Sequence, residues 1–156
     1  MALIFSMLVF LMLTSPAAEL DCFIPSPPAV ELDRAKAVFV GKVIGREYVE
    51  DSSSEQGVSG ERLIIKIAVE RVWKGEIGKE VIMYTSEVRQ SDDTTSMMAE
   101  DFDFVNEKRY LIYADGTVNR LHTSACTRSR EFEKAADDLK ELGEGHQPGE
   151  KKEVSN

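Results

Sequence analysis

The chain of 156 residues is 42% hydrophobic and 30% charged, with 10 Gly and 5 Pro, a balance that fits one globular domain with a tail and excludes collagenous, low-complexity and fully disordered chains. Lys+Arg 19 against Asp+Glu 28 gives a net charge of -9. Such a surface repels phosphate, which argues against nucleic acid or an anionic membrane as partner.

In chain order, the first feature is an apolar run over residues 2–13, interrupted only by Ser6. About a dozen residues fall short of the roughly 20 that a spanning helix needs. Small residues around Pro16 follow, then the first charges at Glu19 and Asp21. Residues 1–18 are therefore expected to be a signal peptide cleaved after Ala17 or Ala18, although no Lys or Arg precedes the run. The expected product is secreted, extracellular or periplasmic and cell-surface, with no stable membrane span. Asp21 directly before Cys22 does not fit a lipoprotein signal.

Export gives meaning to the two cysteines, Cys22 and Cys126. In an oxidising compartment they read as one disulfide, closing a loop of about 100 residues worth roughly 4.7 kcal/mol in the chain-entropy model. Competing readings are a metal site, for which only His122 and His146 are available as histidine ligands, and two free thiols.

Pro27 and Pro28 suit a helix start, predicting a short helix over 29–36. Residues 37–45 read as a strand whose Gly41 and Gly45 mark bulges or tight bends. Residues 52–60, rich in Ser and Gly, read as a mobile polar loop. Leu63, Ile65, Ile67 and Val69 alternate with residues 64, 66, 68 and 70, a strand with one apolar face that ends at the turn Trp73-Lys74-Gly75. Residues 81–85 and 110–114 are further strands, and Asp115-Gly116 predicts a tight turn into a fifth strand over 118–123. Phe132, Ala135, Ala136, Leu139 and Leu142 fall on one helical face, with Ser129 as cap and Gly143 as terminator. From Glu144 to Asn156 only Val154 is apolar, so residues 144–156 are expected to be a disordered polar tail. The chain thus divides into a signal at 1–18, a domain at 19–143 and a tail. Its class is mainly β with flanking helices, the sheet antiparallel or closed into a small barrel.

Four segments in order carry a resemblance: Ala35-Lys-Ala-Val-Phe-Val-Gly-Lys-Val43, Val69-Glu-Arg-Val-Trp-Lys-Gly75, Arg109-Tyr-Leu-Ile-Tyr-Ala114 and Leu121-His-Thr-Ser-Ala-Cys-Thr-Arg128. Bracketed by Cys22 and Cys126, they resemble the netrin-like module of the tissue inhibitors of metalloproteinases (TIMP), closest to its short bacterial members. The resemblance implies an OB-type five-stranded barrel with helices at its side. It also implies a secreted protein-binding module, with a metalloprotease as candidate partner. In that family the free amine and first carbonyl of a leading Cys in a Cys-x-Cys chelate the catalytic zinc. Here Leu20-Asp21-Cys22 keeps only the second cysteine. The partner of the missing one would fall near Glu100-Asp101, so both halves of one disulfide are absent together. Cleavage after Ala18 leaves three residues ahead of Cys22, which blocks the chelating geometry.

Cys22, Phe23, Ile24 and Pro25 form a candidate partner-binding ridge, weighed against a hydrophobic strap that covers one barrel end. Trp73 is a candidate stacking platform for a glycan or small ligand, weighed against packing at the barrel rim. Tyr84, Tyr110 and Tyr113 are expected to pack with hydroxyls at the barrel edge. Glu100, Asp101 and Asp103 would serve calcium or acid–base chemistry only if they converged, and a solvated loop is the expectation. His122 beside Thr123 and Ser124 suggests a nucleophile with its base, against a half-buried structural histidine. No phosphate loop, zinc-helix motif or Asn-x-Ser/Thr acceptor occurs. The expectation is a monomeric binding protein, not an enzyme, with no cofactor and no metal. A structural accessory domain at the cell surface is the remaining reading.

Overall fold

The computed structural model describes residues 26–51 and 60–149. The expected signal peptide at 1–18, the ridge Cys22–Pro25, residues 52–59 of the polar loop and residues 150–156 lie outside them.

The elements in order are α1 (Pro28–Arg34), β1 (Ala37–Asp51), β2 (Gly60–Lys74), β3 (Glu80–Gln90), β4 (Thr95–Ser96), β5 (Arg109–Thr117), β6 (Arg120–His122) and β7 (Arg130–Glu131). A 3-10 turn at Phe132–Lys134 and α2 (Ala136–Leu142) complete the described chain. The protein is mainly β. Strands β1, β2, β3, β6 and β5 follow one another by hydrogen bonding, and β5 pairs back onto β1, so five strands form a ring-like sheet. All pairings in the ring are antiparallel except β3 with β6, which meet at Met83 and Leu121.

Ring closure depends on β1, which pairs with β2 along its length and with β5 over Ala37–Lys42. Closing the sheet on itself requires β1 to coil strongly, and the β1–β2 register shifts at Val38/Phe39, Val40/Gly41 and Val43/Gly45 supply that. Gly41 is required at its shift, because a Cβ there would lie 2.5 Å from Ile67 Cγ2 and 2.7 Å from the Ala68 carbonyl oxygen.

The apolar faces form two cores. Inside the ring, Phe39, Val43, Ile65, Ile67, Met83 and Ile112 pack together, and the alternation from Leu63 to Val69 points inward as expected. On the outside of β1 and β5, Val38, Val40, Leu111 and Tyr113 are covered by Leu32 of α1 and by Phe132, Leu139 and Leu142. The unbroken apolar run Ala37–Val40 therefore has both faces buried, which a strand in a one-sided sheet would not.

Several boundaries differ from expectation. The strand expected at 81–85 extends over β3, and the first strand runs to Asp51. Asp115-Gly116 is not the turn. Both residues pair with β6, and the chain reverses at Val118–Asn119. Gly116 instead has φ 95° and sits where a Cβ would be 2.3 Å from the Arg120 carbonyl oxygen. Ser129 does not cap the C-terminal helix. Its hydroxyl is pulled into β5, accepting the Tyr113 amide at 2.9 Å. Gly143 does end α2, at φ 69°. Where a free tail is expected from Glu144, the stretch to Gly149 is bonded to β2: His146 exchanges backbone hydrogen bonds with Val72 at 2.8 and 2.9 Å. The reason is an open strand edge, a stronger determinant than the polar composition of the segment. Among the described residues, no helix is long and apolar enough to cross a membrane.

Candidate functional site

Past Tyr84, β3 diverges from the short β6, and the chain after β4 returns to fill part of the gap. The remainder is an open groove of about 900 Å³. Buried Thr85 and Thr123 lie at its floor, and Tyr84, Arg120, His122, Met97 and Met98 form its walls. Arg120 covers the Tyr84 ring at 4.8 Å and pairs with Asp51 at 2.9 Å. Arg62 also pairs with Asp51 and donates to the Thr85 carbonyl at 2.8 Å, so this end of the groove is held by charge on both sides. Met97 and Met98 are 59% and 66% exposed, the most exposed methionines of the described chain. Soft, unbranched side chains of this kind adapt to a partner surface.

The acidic residues beside the groove are not all solvated. Asp101 accepts the Ser86 amide at 3.0 Å and the Phe102 amide at 3.2 Å, while the Ser86 hydroxyl accepts the Met98 amide at 2.8 Å. The Glu100 carbonyl accepts the Ala125 amide at 2.8 Å. Asp101 thus latches the 97–101 segment to β3, replacing ladder bonds that β6 is too short to make. Glu100 and Asp103 remain exposed. Among the described residues no group of His, Cys, Asp and Glu is arranged to hold a metal ion.

His122 is exposed rather than half-buried, because β6 turns its side chain outward over Gly116. Thr123 is buried, and its hydroxyl contacts the Tyr113 carbonyl at 2.9 Å and the hydroxyls of Ser129 and Thr127 at 2.8 and 3.0 Å. Ser124 Oγ accepts the Cys126 amide at 3.3 Å. These hydroxyls belong to a turn-stabilising network and are not paired with His122. Cys126 sits in that turn, while Cys22 lies outside the described residues.

Trp73 packs at the edge of the outer core, and its indole N–H donates to the Gly143 carbonyl at 2.9 Å. That position is packing, with the ring directed at the C-terminal segment. Tyr110 packs edge-on to Phe102 and Phe104, at 5.6 and 5.2 Å between centroids, and its hydroxyl accepts the Val105 amide. Tyr113 is buried, and its phenol donates to Asp138 at 3.1 Å.

Asp138 is the polar centre that the sequence reading did not isolate. It is 1% exposed, and Arg128 grips it with two hydrogen bonds of 2.6 and 2.7 Å while Arg130 approaches to 3.7 Å. Arg128 also donates to the Ser26 carbonyl at 3.0 Å, tying the N-terminal segment to α2. Burial pushes the Asp138 carboxyl up, but the Arg128 hydrogen bonds and the charges of Arg130 and Arg128 outweigh it, holding the group below the usual carboxylate range. Burial first, then the Asp138 charge, raises the Tyr113 phenol. The signal was present: Asp138 stands three residues after Ala135 and four before Leu142, on the apolar face of the helix.

No family model matches this sequence, and no curated protein matches it.

Proposed function

We propose that this is an exported, non-catalytic protein-binding module of netrin-like, OB type, whose partner is an extracellular or cell-surface protein seated in the groove between β3 and β6. The observation that carries the reading is the groove itself: an open cleft lined by two exposed methionines together with Arg120, Tyr84 and His122. The hydroxyls of Thr85, Ser86, Thr123 and Ser124 and the Asp101 carboxylate are committed to holding the backbone, which favours binding over chemistry. The strand order β1-β2-β3-β6-β5-β1, with one parallel contact between β3 and β6, supports the OB-type assignment. The apolar run at 2–13 supports export, and a Cys22–Cys126 disulfide follows from it. Metalloprotease inhibition through Cys22–Pro25 is the family's suggestion for the partner's class.

The test places a photocrosslinking residue at position 98 of the full exported chain, with position 30 on α1 as control. One discrete adduct from position 98 and none from position 30 is expected. The double variant Met97→Glu, Met98→Glu should weaken binding of the protein so identified at least tenfold, with an unchanged β circular dichroism spectrum. Equal adducts from both positions, or none, would overturn the assignment. Adding the full chain to a purified zinc endopeptidase reads the inhibitory possibility separately.

A further inference from the structure

Strand β2 has an edge that the sheet does not cover. Its pairing with β3 ends at Ala68–Glu80, with one further bond from the Val69 amide to the Lys79 carbonyl. Beyond that the chain turns away through Gly75, so residues 70–73 have β1 on one side only. The C-terminal segment 143–149 occupies the other side. Val72 donates to the His146 carbonyl at 2.9 Å and accepts the His146 amide at 2.8 Å, and the Gly149 amide reaches the Ile77 carbonyl at 2.8 Å. Trp73 adds its indole bond to Gly143. The approach is close: a Cβ on Gly145 would meet the Val72 carbonyl oxygen at 2.6 Å, Arg71 Cγ at 2.7 Å and Trp73 Cε2 at 3.1 Å.

These bonds are almost all backbone to backbone, and the segment buries little apolar surface. An edge held this way accepts an extended strand by main-chain geometry, with the close approach at Gly145 as its selectivity. We infer that the β2 edge at Arg71–Trp73 is a strand-accepting site, filled in cis by the chain's own C-terminal arm, and that its partner in trans is the same arm of a second copy. The second copy's arm reproduces every bond of the cis arrangement. Gly143, at φ 69°, is the hinge from which the arm leaves the domain. At low protein concentration the cis arm wins, because its tether gives it a high effective concentration.

The test uses the full chain carrying Gly145→Val, whose side chain cannot fit against Val72, and a synthetic peptide of residues 143–156. The Trp73 emission of the variant should be red-shifted and return to the wild-type position as peptide is added. Wild-type protein should not respond at the same peptide concentrations. A peptide with His146→Pro lacks the N–H that Val72 accepts and should bind at least tenfold more weakly. A variant whose emission matches wild type from the start, a variant blind to the peptide, or a proline peptide that binds equally well would overturn the inference. Should Gly145→Val fail to fold, sedimentation of wild-type protein annealed at high concentration decides. A dimer that the full-length His146→Pro chain does not form is expected, and monomer alone refutes the inference.

Discussion

Replacing Asp138 with alanine probes the joint between the ring and its helices. In the folded chain this carboxylate receives two hydrogen bonds from Arg128, one from Tyr113 and the nearby charge of Arg130. Removing it leaves a guanidinium only 15% exposed and a buried phenol without their acceptor. Deleting one member of a buried ion pair costs about 3–5 kcal/mol. For a domain of this size that lowers the melting temperature by about 10–20 °C. Urea unfolding followed by circular dichroism at pH 7 measures it directly. A counter-variant sharpens the reasoning. Asp138→Leu combined with Arg128→Met and Tyr113→Phe removes the buried pair and the phenol together, leaving the 33% exposed Arg130 to turn to solvent, and should recover stability to within about 2 kcal/mol of wild type, since apolar replacement of a whole buried pair is near neutral. The pH dependence has a fixed sign. The Asp138 carboxyl lies lower in the folded than in the unfolded state, where it titrates near the ordinary value of about 3.9. Its stabilisation is therefore complete above about pH 5 and is lost as pH falls through 3.9 and below. The gap between wild type and Asp138→Asn should shrink in that window. A cost under about 1 kcal/mol for Asp138→Ala, or a gap independent of pH, would refute the account.

Gly41→Ala should cost about 2–3 kcal/mol in urea unfolding, because the new Cβ meets backbone at Ala68 and not only the movable Ile67 side chain. Asp101→Ala leaves the Ser86 and Phe102 amides without their acceptor, and should cost about 1–3 kcal/mol while raising hydrogen exchange at Ser86 and Met98. Trp73→Phe keeps the packing but loses the bond to Gly143, for about 1 kcal/mol in the same assay.

The strands were legible where one face decides them. Leu63 to Val69 alternates because its inner face is buried throughout, whereas on the other face Ile64 is buried but Lys66 and Ala68 are not. Strand β1 shows where that signal runs out. Its first residues are apolar on both faces, so the run marks a strand but not the helices that cover it. The turn was misplaced because Asp-Gly is a local preference, whereas Gly116 is demanded by a long-range approach to Arg120. Hydrogen-bond partners are likewise invisible to composition. Asp101 reads as a solvated loop residue, Thr123 as a strand end and Ser129 as a helix cap, yet each side chain is recruited by a backbone group of β3 or β5. Of the groove, the sequence singled out Tyr84, Asp101 and His122 but not Met97, Met98 or Arg120, and nothing in their spacing brings residues 97–98 to the same groove as 120–122. They line one groove because β6 stops after three residues and leaves β3 open.

The two sides of the ring differ in how they are held, and this bears on where a partner can act. The helix side is fixed by a second apolar core and by the Asp138 centre, whose carboxylate is 1% exposed. On the groove side the Arg62–Asp51–Arg120 pairs fix one end, while the 97–101 segment is held by single hydrogen bonds at Ser86, Asp101 and Ala125. Small rearrangements there break few contacts, whereas equal displacements of α2 would uncover a buried charge. A partner that reshapes this protein will therefore do so by moving the 97–101 segment against a ring that stays rigid. In the bound state, protection from hydrogen exchange should rise at Met98, Asp101 and Ala125 and stay unchanged at Tyr113 and Leu139. Changes spread equally across both sides would place the partner elsewhere.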